Sequence, residues 1–471
     1  MTKRRLKLHY IFADLFTSAL TWMLFYIYRK TKIEPLLYHT DLPLNFTSEF
    51  YIGLLFVPVF FFVFNYLIGF HRKPYRKSRL IELGQTALTS ILGNTLIFFY
   101  AVLNDPVSSY QLYYNQLFTL ISLHFSLTYL FRVIITSQTK SKIYNRQVGF
   151  NTLIVGSNEK ALNIYQDFCS QKQATGNIFI GFIMIQESDS HRLEEYLPNL
   201  GSLDDISNII EKCDVEEVII AIESREHHHL LEIIKKLGYQ QVEIKVIPDM
   251  FDILSGQVRT NTIFSSPLLD ISTGLLPPWQ ENIKRLMDIS LSILAVILSF
   301  PLIVFVISAI KLTSPGPIIF KQQRIGRYGK KFFIYKFRSM YADAEKNGPA
   351  LSNPTDKRIT PIGRFIRRTH IDEIPQFYNI ILGEMSLVGP RPEREYFLDQ
   401  IKERTPQYSQ LHKIRPGITS WGQVKFGYAE NVDEMIERMK YDLVYLRNMS
   451  IYIDIKILIY TILEVVKGKG K

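Results

Sequence analysis

The chain has 471 residues, enough for two or more domains, and a formal net charge of +11. It is 13% aromatic, with 32 Phe and 27 Tyr, an apolar bulk high for a soluble protein. The charge is not accompanied by a zinc-finger, RNP or helix-turn-helix pattern, so nucleic acid is not an expected partner; a basic surface facing anionic lipid and a polyanionic substrate accounts for it more simply. Cys169 and Cys213, the two cysteines, exclude a disulfide framework and have no metal-ligand neighbours.

Four apolar runs open the chain, at 8–28, 51–70, 83–103 and 116–136, each near the roughly 20 residues that cross a bilayer. The first is long and has no small-residue cleavage site after it, so a cleaved signal is not expected. Lys3, Arg4, Arg5 and Lys7 precede the first run; Arg72, Lys73, Arg76, Lys77 and Arg79 follow the second; Lys140, Lys142 and Arg146 follow the fourth. The intervening loops are poor in base. This alternation places the N-terminus and everything after residue 140 in the cytoplasm. Asp14, inside the first run, is either a functional polar group or one bonded across the bundle.

From 148 to 255 the pattern changes to strands alternating with helices. Strands are expected at 148–155, 178–185, 216–222 and 242–247, and helices up to about 171, near 204–212 and near 226–237. That order predicts a parallel, Rossmann-like α/β domain. Its first turn, Gly156-Ser157-Asn158-Glu159-Lys160-Ala161, has Asn where a dinucleotide site wants its second Gly. Whether the domain binds a nucleotide stays open, and a structural or regulatory role is the simpler expectation. His227, His228 and His229 are consecutive, so on a helix they face different ways and are a poor metal site.

Residues 256–280, with Pro267, Pro277 and Pro278, read as a linker. The apolar run 286–310 that follows is long enough to span. However, Lys284 and Arg285 before it, and Lys311, Lys321, Arg324 and Arg327 after it, put both flanks on the same side. Pro301 would disrupt a continuous helix by roughly 3 kcal/mol. The expected form is helix, break at Pro301, helix, re-entering the membrane by one face; a fifth spanning helix is the alternative. Residues 318–340 read as two strands around a turn at Tyr328-Gly329, with Lys336 and Arg338 on one face as candidates to grip phosphate. Trp421 and Tyr428 could stack on a base or sit at the membrane interface. The segment 451–471 fits an interfacial helix better than a span because of Asp454, Lys456 and Glu464.

The stretch 364–393 carries the densest chemistry. Asp372 and Glu373 are adjacent, with Arg364, Arg367 and Arg368 before them and Arg391 between two prolines after them. Thr369 reads as a helix start with Asp372 three residues on; Ile374, Phe377, Ile380 and Ile381 have helical spacing, and Gly383 stops it. Carboxylates near a helix N-terminus suit Mg²⁺, and arginines suit phosphate.

Four motifs then stand in order: KFRSM (336–340), RRTHIDEIPQ (367–376), MSLVGPRP (385–392) and RPGITSWGQV (415–424). Together they resemble the catalytic domain of bacterial monotopic phosphoglycosyl transferases. The four-run front end makes the chain similar to the large form, the undecaprenyl-phosphate hexose-phosphate transferases that begin exopolysaccharide or O-antigen synthesis. The resemblance is close over 281–471 and one of layout elsewhere. It departs at His370, where Ser is common, and at Ser420, where Gly is.

The resemblance implies an α/β membrane protein in three parts: four transmembrane helices (1–147), the Rossmann-like domain (148–255) and, after the linker, an α+β catalytic domain with a re-entrant helix (281–471). It implies an Mg²⁺-dependent enzyme at the cytoplasmic face of the inner membrane, taking a UDP-hexose and undecaprenyl phosphate, with a homodimer compatible with the layout. Asp372 and Glu373 would be the catalytic pair and hold the magnesium, with Asp372 the nucleophile and Arg368 and Arg391 phosphate contacts. Two other classes weigh less. A membrane sugar dehydratase or epimerase would show Tyr-x-x-x-Lys in the Rossmann-like domain, and no tyrosine there has Lys four residues on. A non-enzymatic scaffold would leave the dyad in its motif unexplained.

Overall fold

The computed structural model describes residues 3–38, 45–72, 74–101, 110–171, 175–185, 191–222, 227–237, 240, 242–248, 268–270, 276–341, 344, 356–427, 429 and 431–466. They form two compact units: 1–150 with 167–178, and 151–166 with 179–471.

The first unit is helical. α1 (Lys3–Tyr28) continues through a π-turn (Arg29–Ile33) into the short α2 (Glu34–Tyr38); α3 (Ser48–Ile68), α4 (Arg79–Ala101) and α5 (Tyr110–Tyr144) follow. α1 packs on α3 and α5, and α4 on α5, around Trp22, Phe25, Phe61 and Leu120. The helices outrun the apolar segments, because polar flanks continue the hydrogen-bond ladder outside the apolar span. Among the described residues, four helical stretches are long and apolar enough to cross a membrane: Arg4–Leu36, Ser48–Ile68, Tyr110–Tyr144 and Pro278–Thr313. α4 falls outside that set because the side it buries is polar: Glu82, Thr86, Thr89, Ser90 and Asn94. Asp14 takes the bundle-facing alternative. Its Oδ1 accepts from Arg132 Nε at 2.8 Å and its Oδ2 from Arg132 Nη2 at 2.9 Å, and Asn65 adds a third donor. Both side chains are buried, where either charge alone would be costly.

The second unit begins with the sheet. Its strands are β1 (Phe150–Val155), β2 (Asn177–Met184), β3 (Asn199–Ser202), β4 (Glu217–Ile220), β5 (Glu243–Val246) and β6 (Leu269–Asp270), in the order β3-β2-β1-β4-β5-β6. β4 pairs parallel with β1 and β5. α6 (Glu159–Ser170), α7 (Ile206–Lys212) and α8 (His227–Lys236) connect them. β3 is too short and rich in turn formers to be read from pattern. β6 lies inside the stretch read as a linker: two residues of 256–280 pair antiparallel with β5. Most of the rest of that stretch, Pro267 included, lies outside the described residues, while Pro277 and Pro278 cap the next helix. Asn158 spends its amide on Ala221 O at 3.0 Å and caps α6 through Ala161 N, so it works as a turn residue.

In α9 (Pro278–Thr313) Pro301 lies inside a helix assigned without interruption, so helical hydrogen bonding resumes past the proline. Leu291, Leu294, Ile297, Leu298, Phe300 and Phe305 leave its middle exposed and apolar. Its ends are fixed to protein. Lys284 Nζ bonds Asp454 at 2.7 Å, and Val306 and Ile310 are fully buried against Phe337 and Ile366. β7 (Ile319–Ile325) and β8 (Lys331–Phe337) form the expected antiparallel hairpin, with Tyr328 at φ 57° in its turn.

The dyad segment differs in detail from the sequence reading. Thr369 starts no helix; it closes α10 (Pro361–Arg368), its hydroxyl donating back to Phe365 O at 2.9 Å. The chain reverses at His370, which takes the left-handed conformation at φ 56°. Ile371–Glu373 then form a single 3₁₀ turn, and only after Pro375 does α11 (Gln376–Leu382) run, closed by Gly383 at φ 90°. β9 (Ser386–Val388) pairs parallel with β10 (Gly417–Thr419). α12 (Glu395–Arg404), α13 (Trp421–Phe426), α14 (Val432–Arg447) and α15 (Ile451–Val466) complete the unit. α15 buries Asp454 and exposes Tyr452, Ile459 and Ile462, the two-sided character expected of an interfacial helix.

Candidate active site

Asp372 and Glu373 lie at the corner between α10 and α11, against β8. They line a cavity of about 690 Å³. Phe320, Met340, Phe397 and Met435 supply apolar wall. The charged lining is one-sided. Lys321, Arg324, Lys336, Arg338, Arg358, Arg367, Arg391, Arg394 and Arg438 face three carboxylates, Asp372, Glu373 and Glu393. Such an excess makes the cavity a receptor for a polyanion.

The two acids are handled differently. Lys336 Nζ bonds Glu373 Oε1 at 2.6 Å, and Arg391 Nη2 stands 3.8 Å from the same oxygen. Burial would raise the acid pKa of Glu373, but Lys336 and Arg391 outweigh it and hold the group below the usual carboxylate range. Asp372 is 8% exposed and takes no side-chain hydrogen bond or ion pair among the described residues. Burial dominates there, the neighbouring Glu373 adds to it, and its pKa is raised despite Lys336 and Arg367. The corner therefore offers one locked anion and one carboxylate whose oxygens have no cationic partner in contact. Burial also lowers the pKa of His370 and outweighs the pull of Glu373, with Arg391 and Lys336 pushing the same way.

The sequence-predicted residues meet in part. Lys336 and Arg391 converge on the dyad. Arg338 lines the same cavity, yet its Nη2 donates to Ser314 O at 2.6 Å and Ser314 Oγ at 2.7 Å, and its Nη1 to Pro315 O at 2.9 Å. Those bonds tie the end of α9 to β8. Arg368 is exposed and outside the lining, whereas Arg367 is in it. One residue on a helix is a turn of about 100°, and the sequence does not say which arginine looks inward. Tyr428 lies outside the described residues, and Trp421 packs on the core.

Sequence reasoning missed Arg324, Arg358, Glu393, Arg394 and Arg438. Glu393 is buried between Arg438, which donates to Oε1, and Arg324, 3.6 Å from Oε2. Glu393 and Arg394 directly follow the motif that ends at Pro392; Arg438 comes from α14, and spacing carries no signal for it. Among the described residues, no three His, Cys, Asp or Glu side chains gather as a metal site. Mg²⁺ commonly takes one or two carboxylates and completes its shell with water and substrate phosphate, so the pair Asp372 and Glu373 fits that ion without a third ligand.

Two family models match the chain: bacterial sugar transferase over residues 279–468, and CoA-binding domain over 66–248. Among curated relatives, the UDP-glucose:undecaprenyl-phosphate glucose-1-phosphate transferase of Klebsiella pneumoniae is 32% identical over 324 residues, 68% of this chain and 69% of that protein. The UDP-N-acetylgalactosamine-undecaprenyl-phosphate N-acetylgalactosaminephosphotransferase of Aeromonas hydrophila is 40% identical over 225 residues, 48% of this chain and 52% of that protein. An exopolysaccharide production protein of Rhizobium leguminosarum bv. phaseoli is 40% identical over 195 residues, which are 40% of this chain and 98% of the relative. The chain thus spans about half of the Aeromonas protein and about two thirds of the Klebsiella protein.

Proposed function

This chain belongs to the bacterial sugar transferase family, a family of polyprenyl-phosphate sugar-phosphate transferases, and we propose that it moves a hexose-1-phosphate from a UDP-hexose to undecaprenyl phosphate, releasing UMP. The observation that carries the reading is the unequal dyad: Glu373 is held as an anion by Lys336, while Asp372 lies beside it in a cation-lined cavity with no cation in contact among the described residues.

In the first step an Asp372 carboxylate oxygen attacks the sugar-bearing phosphorus. The bond from that phosphorus to the bridging oxygen breaks, and UMP leaves with the oxygen and its electron pair. In the second step an oxygen of undecaprenyl phosphate attacks the same phosphorus and the bond to Asp372 breaks. The product is undecaprenyl-diphosphate-hexose, with the carboxylate restored. Arg367 and Arg391 hold phosphate oxygens, and Lys336 keeps Glu373 ionised. Asp372 and Glu373 would hold Mg²⁺, which when bound offsets charge on the pyrophosphate.

The reading places this chemistry at the cytoplasmic face of the inner membrane, with α9 entering and leaving by one face. Two contacts support that. Arg285, near the start of α9, bonds Ile380 O and Ile381 O at one end of α11. Leu302, Ile303 and Ile307, beyond Pro301, pack in a cluster with Ile371 and Ile374 at the other end. The seven residues of α11 span about 10 Å. A straight helix from 285 to 303 would span nearly three times that, about 27 Å. A bend at Pro301 would bring both halves to the same short element.

The test is UMP release by purified protein in lipid nanodiscs, against a panel of UDP-sugars with and without undecaprenyl phosphate. With the right sugar alone, wild type should release about one UMP per site and keep sugar phosphate on the protein, and Asp372→Asn should do neither. A full burst from Asp372→Asn would reject Asp372 as nucleophile.

A further inference from the structure

The two segments that carry the dyad and Arg391 are both gripped by the first turns of the membrane helix. Lys284 and Asp288 are four apart on α9 and share a face, with Arg285 alongside. Asp288 is 3% exposed, and a carboxylate so buried is costly unless it is bonded. Its bonds go to one strand: Ser386 Oγ donates to Oδ2 at 2.8 Å, and Leu387 N to Oδ1 at 3.0 Å. Lys284 Nζ reaches the same strand at Val388 O, 3.0 Å away, while tied to Asp454. Tyr445 completes the anchor through its hydroxyl to Asp454 Oδ1 at 2.6 Å.

That strand, β9, runs straight into Gly389-Pro390-Arg391-Pro392-Glu393. The segment is stiff. Two prolines fix its φ angles, and a Cβ at Gly389 would collide with Arg415 O and Gly417 N. A displacement of Ser386–Val388 is therefore carried to Arg391, only three residues on. Arg285 meanwhile holds the last carbonyls of α11, whose first turn follows the dyad.

We infer that Asp288, with Lys284 and Arg285, makes the seating of the membrane helix set the distance between Arg391 and the dyad. These are positioning residues: none lines the cavity, and each acts through β9 or α11. The inference rests on the proposed transferase reading. It makes the bilayer part of the site's geometry, since α9 presents an exposed apolar middle for lipid to cover.

The experiment uses the full chain in nanodiscs with undecaprenyl phosphate and the UDP-sugar that supports turnover. Asp288→Asn and Ser386→Ala are compared with wild type for kcat and KM, each corrected for folded protein by its unfolding midpoint. Misplacing a phosphate-binding arginine by about 1 Å costs on the order of tenfold to a hundredfold in kcat. That loss should remain in kcat per folded molecule, whereas a variant that merely loses stability keeps wild-type kcat per folded molecule. Ser386→Ala removes one neutral donor from Asp288 and should show the same loss, smaller in size; it decides the matter if Asp288→Asn does not fold. Wild-type kcat per folded molecule would overturn the coupling. No UMP from wild type with any sugar would instead overturn the transferase reading.

Discussion

Replacing Lys336 with methionine keeps most of the unbranched stem and removes its charge, and the consequence can be worked from the dyad. Lys336 Nζ lies 2.6 Å from Glu373 Oε1, and the two side chains are 20% and 13% exposed. A charge-assisted hydrogen bond of this kind contributes about 1.5–3 kcal/mol net of desolvation. At 1.36 kcal/mol for each pH unit, its loss raises the pKa of the pair by about one to two units. The sign follows from which form the lysine favours. It favours the ionised acids, and with it gone protons bind the pair more tightly. The proposed reaction needs Asp372 ionised, so activity is lost as pH falls through a raised value. The acid limb of the rate profile should move up by about one to two pH units. Loss relative to wild type should be larger at pH 6.5 than at 8.5. The assay is the first-order rate of UMP release from UDP-sugar alone, at fixed Mg²⁺, from pH 5 to 9. Lys336→Met also removes a cation from the cavity and lowers the rate at every pH, so the position of the limb is the readout. A uniform drop with an unmoved limb, or a limb moved to lower pH, would refute the assignment of Lys336 as the group that keeps the dyad anionic.

Three further outcomes follow from the same structure. Arg367→Ala should lower kcat/KM for the UDP-sugar at least tenfold, about the 1.4 kcal/mol or more of one charged contact, while Arg368→Ala stays near wild type; equal losses in a steady-state UMP assay would contradict the inward and outward assignment. Asp14→Leu or Arg132→Met alone leaves a buried, unpaired charge in the helical unit and should cost about 3–5 kcal/mol, with the double variant recovering most of it; thermal unfolding in detergent checks this, and an additive double variant would argue against the pair. Cysteine labels placed just before Pro278 and just after Val466 should react with an impermeant maleimide only once cells are opened; labelling of one alone in intact cells would exclude a single-faced α9, and labelling of both would exclude the cytoplasmic side.

The parts of the architecture that sequence reveals are those with a strong period or a hard steric rule. The α1, α3 and α5 helices follow from long apolar runs, the alternation through β5 from buried strands between helices, and the hairpin from its Gly-containing turn. What escaped depends on direction. Whether Arg367 or Arg368 faces the cavity is an angle about a helix axis that both residues satisfy equally in one dimension. Arg338 shares a face with Lys336, as period two requires, but the carbonyls left bare at the end of α9 take its guanidinium first. Thr369 looked like an N-cap because Asp372 stands three residues on, yet the same threonine closes α10, and the reversal falls at His370. Histidine carries a cost of about 1–2 kcal/mol in that conformation, so nothing local announced it. Arg438 reaches Glu393 across 45 residues and had no signal at all.

The reversal at His370 also explains how two neighbouring acids acquire opposite characters. Adjacent residues on a long helix point about 100° apart, and on an exposed helix start both would be solvated and alike. Here the turn is one 3₁₀ turn wedged between α10 and α11, so both acids are pressed against the protein, and they meet different walls. Glu373 faces β8, where strand alternation delivers Lys336, and the loop that delivers Arg391. Asp372 meets burial without a cation in contact. Protonation of either acid would relieve the repulsion between them, and Lys336 biases the choice by making Glu373 the costlier one to neutralise. Under the proposed reaction this division is useful in both steps. Asp372 is free to bond phosphorus, and the excess of cations over carboxylates in the cavity persists after UMP departs. A second phosphate, on the lipid, is then drawn to the same place without any rearrangement of charge. That attraction is electrostatic, so capture of the lipid phosphate should weaken with added salt more steeply than the chemistry of the first step.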